Sequence, residues 1–310
     1  MRALTASEIA GNWATLLLPI NPDESIAYDR LAAEIDALIG CGVDGIYSNG
    51  TAGEFYTQSE DEYDRVSALL AERGEAAGVP FQIGASHPCP QTSLARIRRA
   101  AALKPSAIQV ILADWFPLTD DEAVDCLARM AEAAAPIGLV LYNPPHAKRV
   151  LRPETYARLK AEVPGLVGVK VADGDAAWYA AMRQHAAGLS VFVPGHHLAT
   201  GVRQGAAGSY SNVACLSPAG AQRWYAMMHT DPEAALALEG RIRVFMDKRI
   251  VPFITRAGYA NQAVDKLLAA IGGWADIGTR LRWPYRWIPE AEVLHLRPAA
   301  RGLLPELFTG

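Results

Sequence analysis

The sequence predicts an α/β protein, a (β/α)8 TIM barrel with a C-terminal helical extension. Short apolar segments alternate with amphipathic helical stretches, and strands alternating with helices imply a parallel sheet. Eight such units fill about 216 residues, which fits a closed barrel. From Ser217 onward the strand signal stops. The alternative, an open doubly wound sheet, lacks support, because no G-x-G-x-x-G follows the first strand.

The strand candidates are "WATLLLPI" (13–20), "VDGIYSN" (43–49), "PFQIGAS" (80–86), "AIQVILAD" (107–114), "GLVLYN" (138–143), "LVGVKVA" (166–172), "SVFVPG" (190–195) and "GSYSNVA" (208–214). The first helical stretch spaces Ile26, Leu31, Ile35, Leu38 and Ile39 at helical intervals and ends on glycine. The second opens on Ser59 with Glu62 three residues later, a capping box. Another opens on Thr119 followed by acids, which favour a helix N-terminus. "RPETYARLKAEVPG" and "GDAAWYAAMRQHAAG" repeat the scheme, and the helical signal is faintest at 197–206. Beyond Ser217, "SPAGAQRWYAMMH", "DPEAALALEGRIRVFMDKRI" and "NQAVDKLLAAIG" read as helices. The expected organisation is a barrel over 1–216 and a helical region over 217–310, packed together as one unit.

Composition narrows the function classes. The chain has 310 residues, 51% hydrophobic and 20% charged, with a net charge of -4. That is ordinary globular composition. No basic cluster interleaved with aromatics marks a nucleic-acid surface. The four cysteines are scattered with no CxxC pair, so they read as free thiols of a reducing compartment. The N-terminus shows no signal-peptide pattern and no apolar run reaches membrane-spanning length. The expected location is cytoplasmic, with no membrane partner.

One residue breaks the pattern of a buried strand. In "GLVGVKVADGD" (165–175), Lys170 sits among valines, yet lysine is rarely buried unless paired. Alternation puts Leu166, Gly168, Lys170 and Ala172 on one face, and Val167, Val169 and Val171 on the other. The valine face meets the helices, so the lysine points into the barrel beside small neighbours. The residues alone leave two readings open: an amine paired with a carboxylate, or a partly neutral amine acting as nucleophile. In "GLVLYNPPH", Tyr142 points inward by the same count, at the strand end where active sites of this fold sit. "SNGTAGEFY" (48–56) follows the second strand; Gly50 and Gly53 permit an unusual backbone path whose N–H groups form an anion-binding concavity. Thr51 adds a hydroxyl.

Together these segments resemble the dihydrodipicolinate synthase / N-acetylneuraminate lyase family of class I aldolases. That family carries a G-[TS]-T-G-E loop after the second strand, a Y-N-x-P motif at the fifth and a Schiff-base lysine on the sixth. Here these read "GTAGE" (50–54), "YNPP" (142–145) and "GVKVADGD" (168–175). The likeness runs from about residue 10 to 295. It implies that Lys170 attacks the ketone of a 2-oxo acid to form an imine, that Tyr142 relays protons, and that Thr51 orients the Tyr142 hydroxyl. It further implies that the Gly50–Thr51–Ala52 turn holds the substrate carboxylate, and that Gly195 and Ser211 flank the substrate. It implies a homotetramer, no cofactor and no metal.

The chain also departs from that pattern. Ala52 stands where the family usually has a second threonine, so one hydroxyl donor to the carboxylate is missing. Trp115 and Phe116 occupy the place of the synthases' paired tyrosines, and Ala147 the place of an arginine that binds the aldehyde's carboxylate. These absences argue against dihydrodipicolinate synthase activity. The remaining specificity candidates are His146, Lys148, Trp115, His196 and His197. Adjacent histidines in an extended "GHH" face opposite ways, one to the site and one to solvent. The expected function is Schiff-base cleavage of a 2-oxo acid, such as one releasing pyruvate. The alternatives are dehydration of a 2-keto-3-deoxy sugar acid through the same imine, and a non-catalytic 2-oxo acid-binding barrel.

Overall fold

The computed structural model describes residues 1–309. Eight parallel strands close into a barrel in sequence order. The units are β1 (Gly11–Thr15) and α1 (Tyr28–Gly40), β2 (Gly45–Ser48) and α2 (Glu60–Ala77), β3 (Phe81–Gly84) and α3 (Pro90–Ala102), β4 (Ala107–Val110) and α4 (Asp120–Ala134). They continue with β5 (Leu139–Asn143) and α5 (Pro153–Glu162), β6 (Leu166–Val171) and α6 (Ala176–His185), β7 (Ser190–Phe192) and α7 (Leu198–Arg203), β8 (Gly208–Tyr210) and α8 (Asn212–Leu216). Helices α9 (Pro218–Thr230), α10 (Pro232–Phe245), α11 (Val251–Thr255), α12 (Asn261–Gly272) and α13 (Ala291–Leu303) follow, and α12 packs on α8.

The strands are shorter than their apolar runs. β1 ends at Thr15, although Leu16, Leu17 and Leu18 are buried. A buried apolar run does not by itself distinguish strand from buried loop. Here the chain leaves the ladder because the Leu17 N–H is taken by the buried carboxylate of Glu34 at 2.8 Å. The capping boxes form at both expected places: Ser59 with Glu62 on α2, and Thr119 with Glu122 on α4.

Alternation on β5 holds. Leu139 and Leu141 join the outer core against the helices, while Val140 joins an inner cluster with Trp13, Tyr47, Phe192 and Tyr210. On β6 it breaks. Leu139 pairs with Leu166 and Val140 with Gly168, so Val167 is an extra residue in the ladder. The bulge turns Val167 toward the inner cluster and Leu166 toward the helices, reversing both expectations. Beyond it the count recovers: Val169 and Val171 face the helices, and Lys170 faces the barrel mouth.

The "GHH" segment is a 3-10 turn, Gly195–His197, and no strand. Its two histidine rings therefore stack edge to face, with centroids 4.3 Å apart. They pack against each other, yet only His196 lines the cavity at the barrel mouth.

Candidate active site

The β5–β6 register sets Tyr142 directly opposite Lys170. Both sit near the C-terminal ends of their strands, and both open onto a cavity of about 300 Å³. Three aromatic rings surround the lysine amine: Tyr142 at 4.3 Å, Tyr47 at 5.0 Å and Tyr210 at 5.2 Å from Nζ to centroid. The amine donates to the Tyr47 hydroxyl at 3.1 Å. Burial lowers the Lys170 pKa below the ordinary lysine value, against opposing pulls from Tyr142 and Asp265. Burial raises Tyr142, with Lys170 opposing, and the Thr51 side chain also favours the ionised phenol. The site thus holds an amine of reduced basicity against the ring of the Tyr142 phenol.

The turn after β2 supplies the cavity's next wall, with Thr51 and Ala52 lining it. Its conformation corrects the expectation drawn from the glycines. The left-handed residues are Asn49 (φ 54) and Glu54 (φ 52), and the glycines are needed for close approach. A Cβ on Gly50 would lie 2.4 Å from the Tyr47 ring. Gly50 backs the turn against that ring, and the cavity wall itself is formed by its neighbours Thr51 and Ala52. Side chains hold the two left-handed positions, which otherwise cost about 1–3 kcal/mol each. Asn49 donates to Ser67 at 2.9 Å and accepts from Gln58 at 3.1 Å. Glu54 forms a fully buried ion pair with Lys266 of α12 at 2.5 Å.

Gly195 and Ser211 line the far wall, as the resemblance implies. A Cβ on Gly195 would lie 2.6 Å from the Ser211 hydroxyl, which itself caps α8 through the Ala214 N–H. His196 also lines the cavity, and its ring nitrogen meets Asn212 at 2.9 Å. Burial pushes its imidazole down to about 4, so it is neutral at pH 7. His197 turns instead to Asp173, 2.5 Å away.

His146, Lys148 and Trp115 line a second, outer chamber of about 630 Å³, which meets the inner cavity at Thr51, Tyr142 and Asn261. Phe55, Tyr56 and Tyr285 form its opposite wall in successive edge-to-face contacts. Lys148 donates to the Trp115 carbonyl at 2.7 Å and sits over its ring. Arg149 pairs with Asp120 outside both chambers, so it does not take the place of the synthases' arginine.

Tyr47, Tyr210, Asn261 and Asp265 line the inner cavity and escape the sequence reading. Inward counting to the end of the second strand could have found Tyr47. Asp265 carries a fainter signal, an acid inside the apolar helix "NQAVDKLLAAIG". It is buried, and burial pushes its carboxyl up to about 7 against the pull of Lys170. Among the described residues, no three His, Cys, Asp or Glu side chains converge as a metal-ligand set. Among them, no helix is long and apolar enough to cross a membrane.

Comparison with known proteins gives a consistent picture. An uncharacterised DapA-like lyase of Halobacterium salinarum is 31% identical over 198 residues, 63% of this chain and 64% of that protein. The matched stretch is thus less than two thirds of that relative's length. A trans-o-hydroxybenzylidenepyruvate hydratase-aldolase of Sphingobium xenophagum is 28% identical over 172 residues, 53% of this chain and 52% of that protein. Among solved structures, YagE of Escherichia coli K12, in complex with pyruvate, superposes with a TM-score of 0.84 at 18% identity, covering 95% of this chain and 98% of its own. Proteus mirabilis N-acetylneuraminate lyase does so with a TM-score of 0.82 at 20% identity, covering 94% and 98%. These two likenesses establish the fold. The model of the dihydrodipicolinate synthetase family matches residues 8–285, nearly the whole chain, and the chain belongs to that family.

Proposed function

We propose that this chain is a lyase that forms an imine between Lys170 and a 2-oxo acid. The observation that carries this reading is the desolvated Lys170 amine, caged by three tyrosines and opposite Tyr142 at the barrel mouth. Lowered basicity leaves more of the amine as the free nucleophile. Its lone pair attacks the ketone carbon; the carbinolamine then loses water, the Tyr142 hydroxyl giving its proton to the departing hydroxide, and a protonated imine and a Tyr142 phenolate remain. That cation accepts the electron pair released when the bond between C3 and C4 of the 2-oxo acid breaks. Tyr142 takes the proton from the departing C4 hydroxyl, leaving an aldehyde and a lysine-bound enamine. Protonation of the enamine and hydrolysis free pyruvate and the amine. The turn N–H groups of Thr51 and Ala52 hold the carboxylate.

Incubation with pyruvate and sodium borohydride, followed by intact-mass analysis and peptide mapping, tests this directly. The expected result is one reduced pyruvyl adduct on Lys170. Binding of pyruvate without any reducible adduct overturns the reading in favour of a non-catalytic binding barrel.

The outer chamber bears on the leaving group. Phe55, Tyr56, Trp115, Leu112 and Tyr285 give the chamber a broad apolar wall, with Asp114, His146, Lys148 and Gln262 among the polar groups on it; the apolar wall suits an apolar or aromatic aldehyde. The hydratase-aldolase among the relatives acts, by its name, on an arylidene pyruvate. Dehydration of a keto-deoxy sugar acid through the same imine is the second reading. A panel of both substrate types separates them: aldehyde and pyruvate release for cleavage, loss of water with all carbons retained for dehydration.

The proposal extends to a cytoplasmic homotetramer. Trp115 and Phe116 project side by side with 78% and 75% of their surface exposed, a patch suited to an interface. Light scattering is expected to give four chain masses for the wild type and smaller species for W115E/F116E. A monomeric wild type at micromolar concentration overturns this.

A further inference from the structure

The inner cavity holds a carboxyl group that the imine chemistry above does not use. Asp265 on α12 lines it together with Ala52 and Lys170. Its position is fixed by its neighbour: Lys266 reaches the turn after β2 and pairs with Glu54, two residues beyond Ala52. The same helix therefore holds the turn whose second hydroxyl is missing and brings Asp265 to the cavity that the turn lines. Asn261, one helical turn earlier, touches Asp265 at 3.4 Å, a weak contact that leaves the carboxyl available to the cavity.

We propose that Asp265, in its neutral form, donates a hydrogen bond to the substrate carboxylate and replaces the donor that Ala52 lacks. The inference rests on the imine reading for the identity of the ligand, a 2-oxo acid. Its physical basis is charge. Two carboxylates in a cavity of about 300 Å³ cannot both remain ionised without a large penalty. The 2-oxo acid is much the stronger acid, so Asp265 takes the proton. An uncharged carboxyl is an O–H donor, and one aimed at an anion makes a charge-assisted hydrogen bond. With its pKa pushed up to about 7, the proton is available near neutral pH.

The groups facing Asp265 do not supply that proton-dependent donor in its place. Lys170 of β6 is the cation that favours the ionised carboxylate. Tyr142 of β5 and Tyr47 of β2 are raised by burial and stay neutral, as does Tyr56 beyond the turn. Cys215 of α8 is raised well above its ordinary value and also stays neutral. Below the Asp265 pKa the donor is therefore present in the free protein. Above it, each anion bound requires uptake of one proton, so affinity falls about tenfold per pH unit.

The test uses the full chain and L-lactate, which carries the carboxylate and cannot form an imine. Lactate affinity is measured by calorimetry from pH 6 to 8.5 for wild type, D265N, D265A and D265A/A52T, all first checked for folding by circular dichroism. Lys170 contributes to the pH dependence of every protein, so the comparison isolates Asp265. The wild-type plot of log Kd against pH is expected to be steeper than that of D265N by about one above pH 7. D265A is expected to bind ten- to a hundredfold more weakly at pH 6.5, and D265A/A52T to regain at least tenfold. Equal slopes in wild type and D265N, or wild-type affinity in D265A, overturn the proposal. Borohydride trapping of pyruvate is run on the same proteins. An adduct on wild-type Lys170 together with equal slopes rejects the role of Asp265 alone; no adduct rejects the imine reading itself.

Discussion

Lys170→Ala is expected to abolish exchange of the pyruvate methyl protons with deuterium from solvent, by about 10⁴-fold or more, the scale on which removal of a covalent nucleophile acts. Exchange needs only the imine and its enamine, so it reads the chemistry before the natural substrate is known. The methyl signal in proton NMR supplies the rate. Lys170→Arg is expected to be equally inactive, because a guanidinium keeps the charge and cannot attack a ketone at neutral pH. Tyr142→Phe is expected to retain the adduct and lose about 10²–10⁴-fold in exchange rate, the usual scale for a proton-transfer group. The structure also fixes the stability side of the experiment. Lys170 is a desolvated amine whose basicity burial has lowered, so its loss relieves a cost. Thermal unfolding of Lys170→Ala is expected at or above the wild-type temperature, in keeping with functional groups held at the expense of stability. Exchange within tenfold of wild type in Lys170→Ala would sink the imine mechanism, whatever the melting temperature.

The residues carrying this prediction are also those most legible in the sequence. Tyr142 and Lys170 each interrupt an apolar strand near its C-terminal end, and period-two alternation alone sends both inward. The match of Tyr142 to Lys170 in the β5–β6 register is what that reading requires. Alternation failed three residues before Lys170, at Val167. The bulge at Val167 depends on how two strands settle against each other, which no single-strand pattern encodes. The histidine pair was half legible: one ring faces the cavity and the other does not, but the chain runs through a 3-10 turn there, so the period of two never applied. Asp265 lay beyond local reasoning. It reaches the site from a helix far along the chain, and its burial follows from the docking of α12 on α8. The turn was half legible. Its glycines pointed to a tight path, but the strained positions are Asn49 and Glu54, each secured by partners distant in sequence.

The same turn sets the second large effect, on stability. Lys266→Met is expected to cost about 3–5 kcal/mol in denaturant unfolding, because it leaves Glu54 as an unpaired buried charge. Both partners have no exposed side-chain surface, and their charged atoms lie 2.5 Å apart. The Lys266 amine also donates to the Arg280 carbonyl at 2.6 Å, and Glu54 receives the Arg282 N–H at 3.3 Å. One lysine thus fastens α12, the segment after it and the turn that carries Thr51. Replacing both partners separates the two roles of the pair. E54L/K266M removes the unpaired charge and is expected to recover most of the lost stability, since apolar replacement of a buried pair is often neutral. It is not expected to recover pyruvate exchange. The introduced leucine has no charge to anchor the left-handed position, and Thr51 and Ala52 lose the fixed turn that aims their N–H groups. Recovery of stability and exchange together would mean that the ion pair only fills space. Recovery of stability alone would show that the buried charges are kept because they aim the anion-binding turn at the lysine.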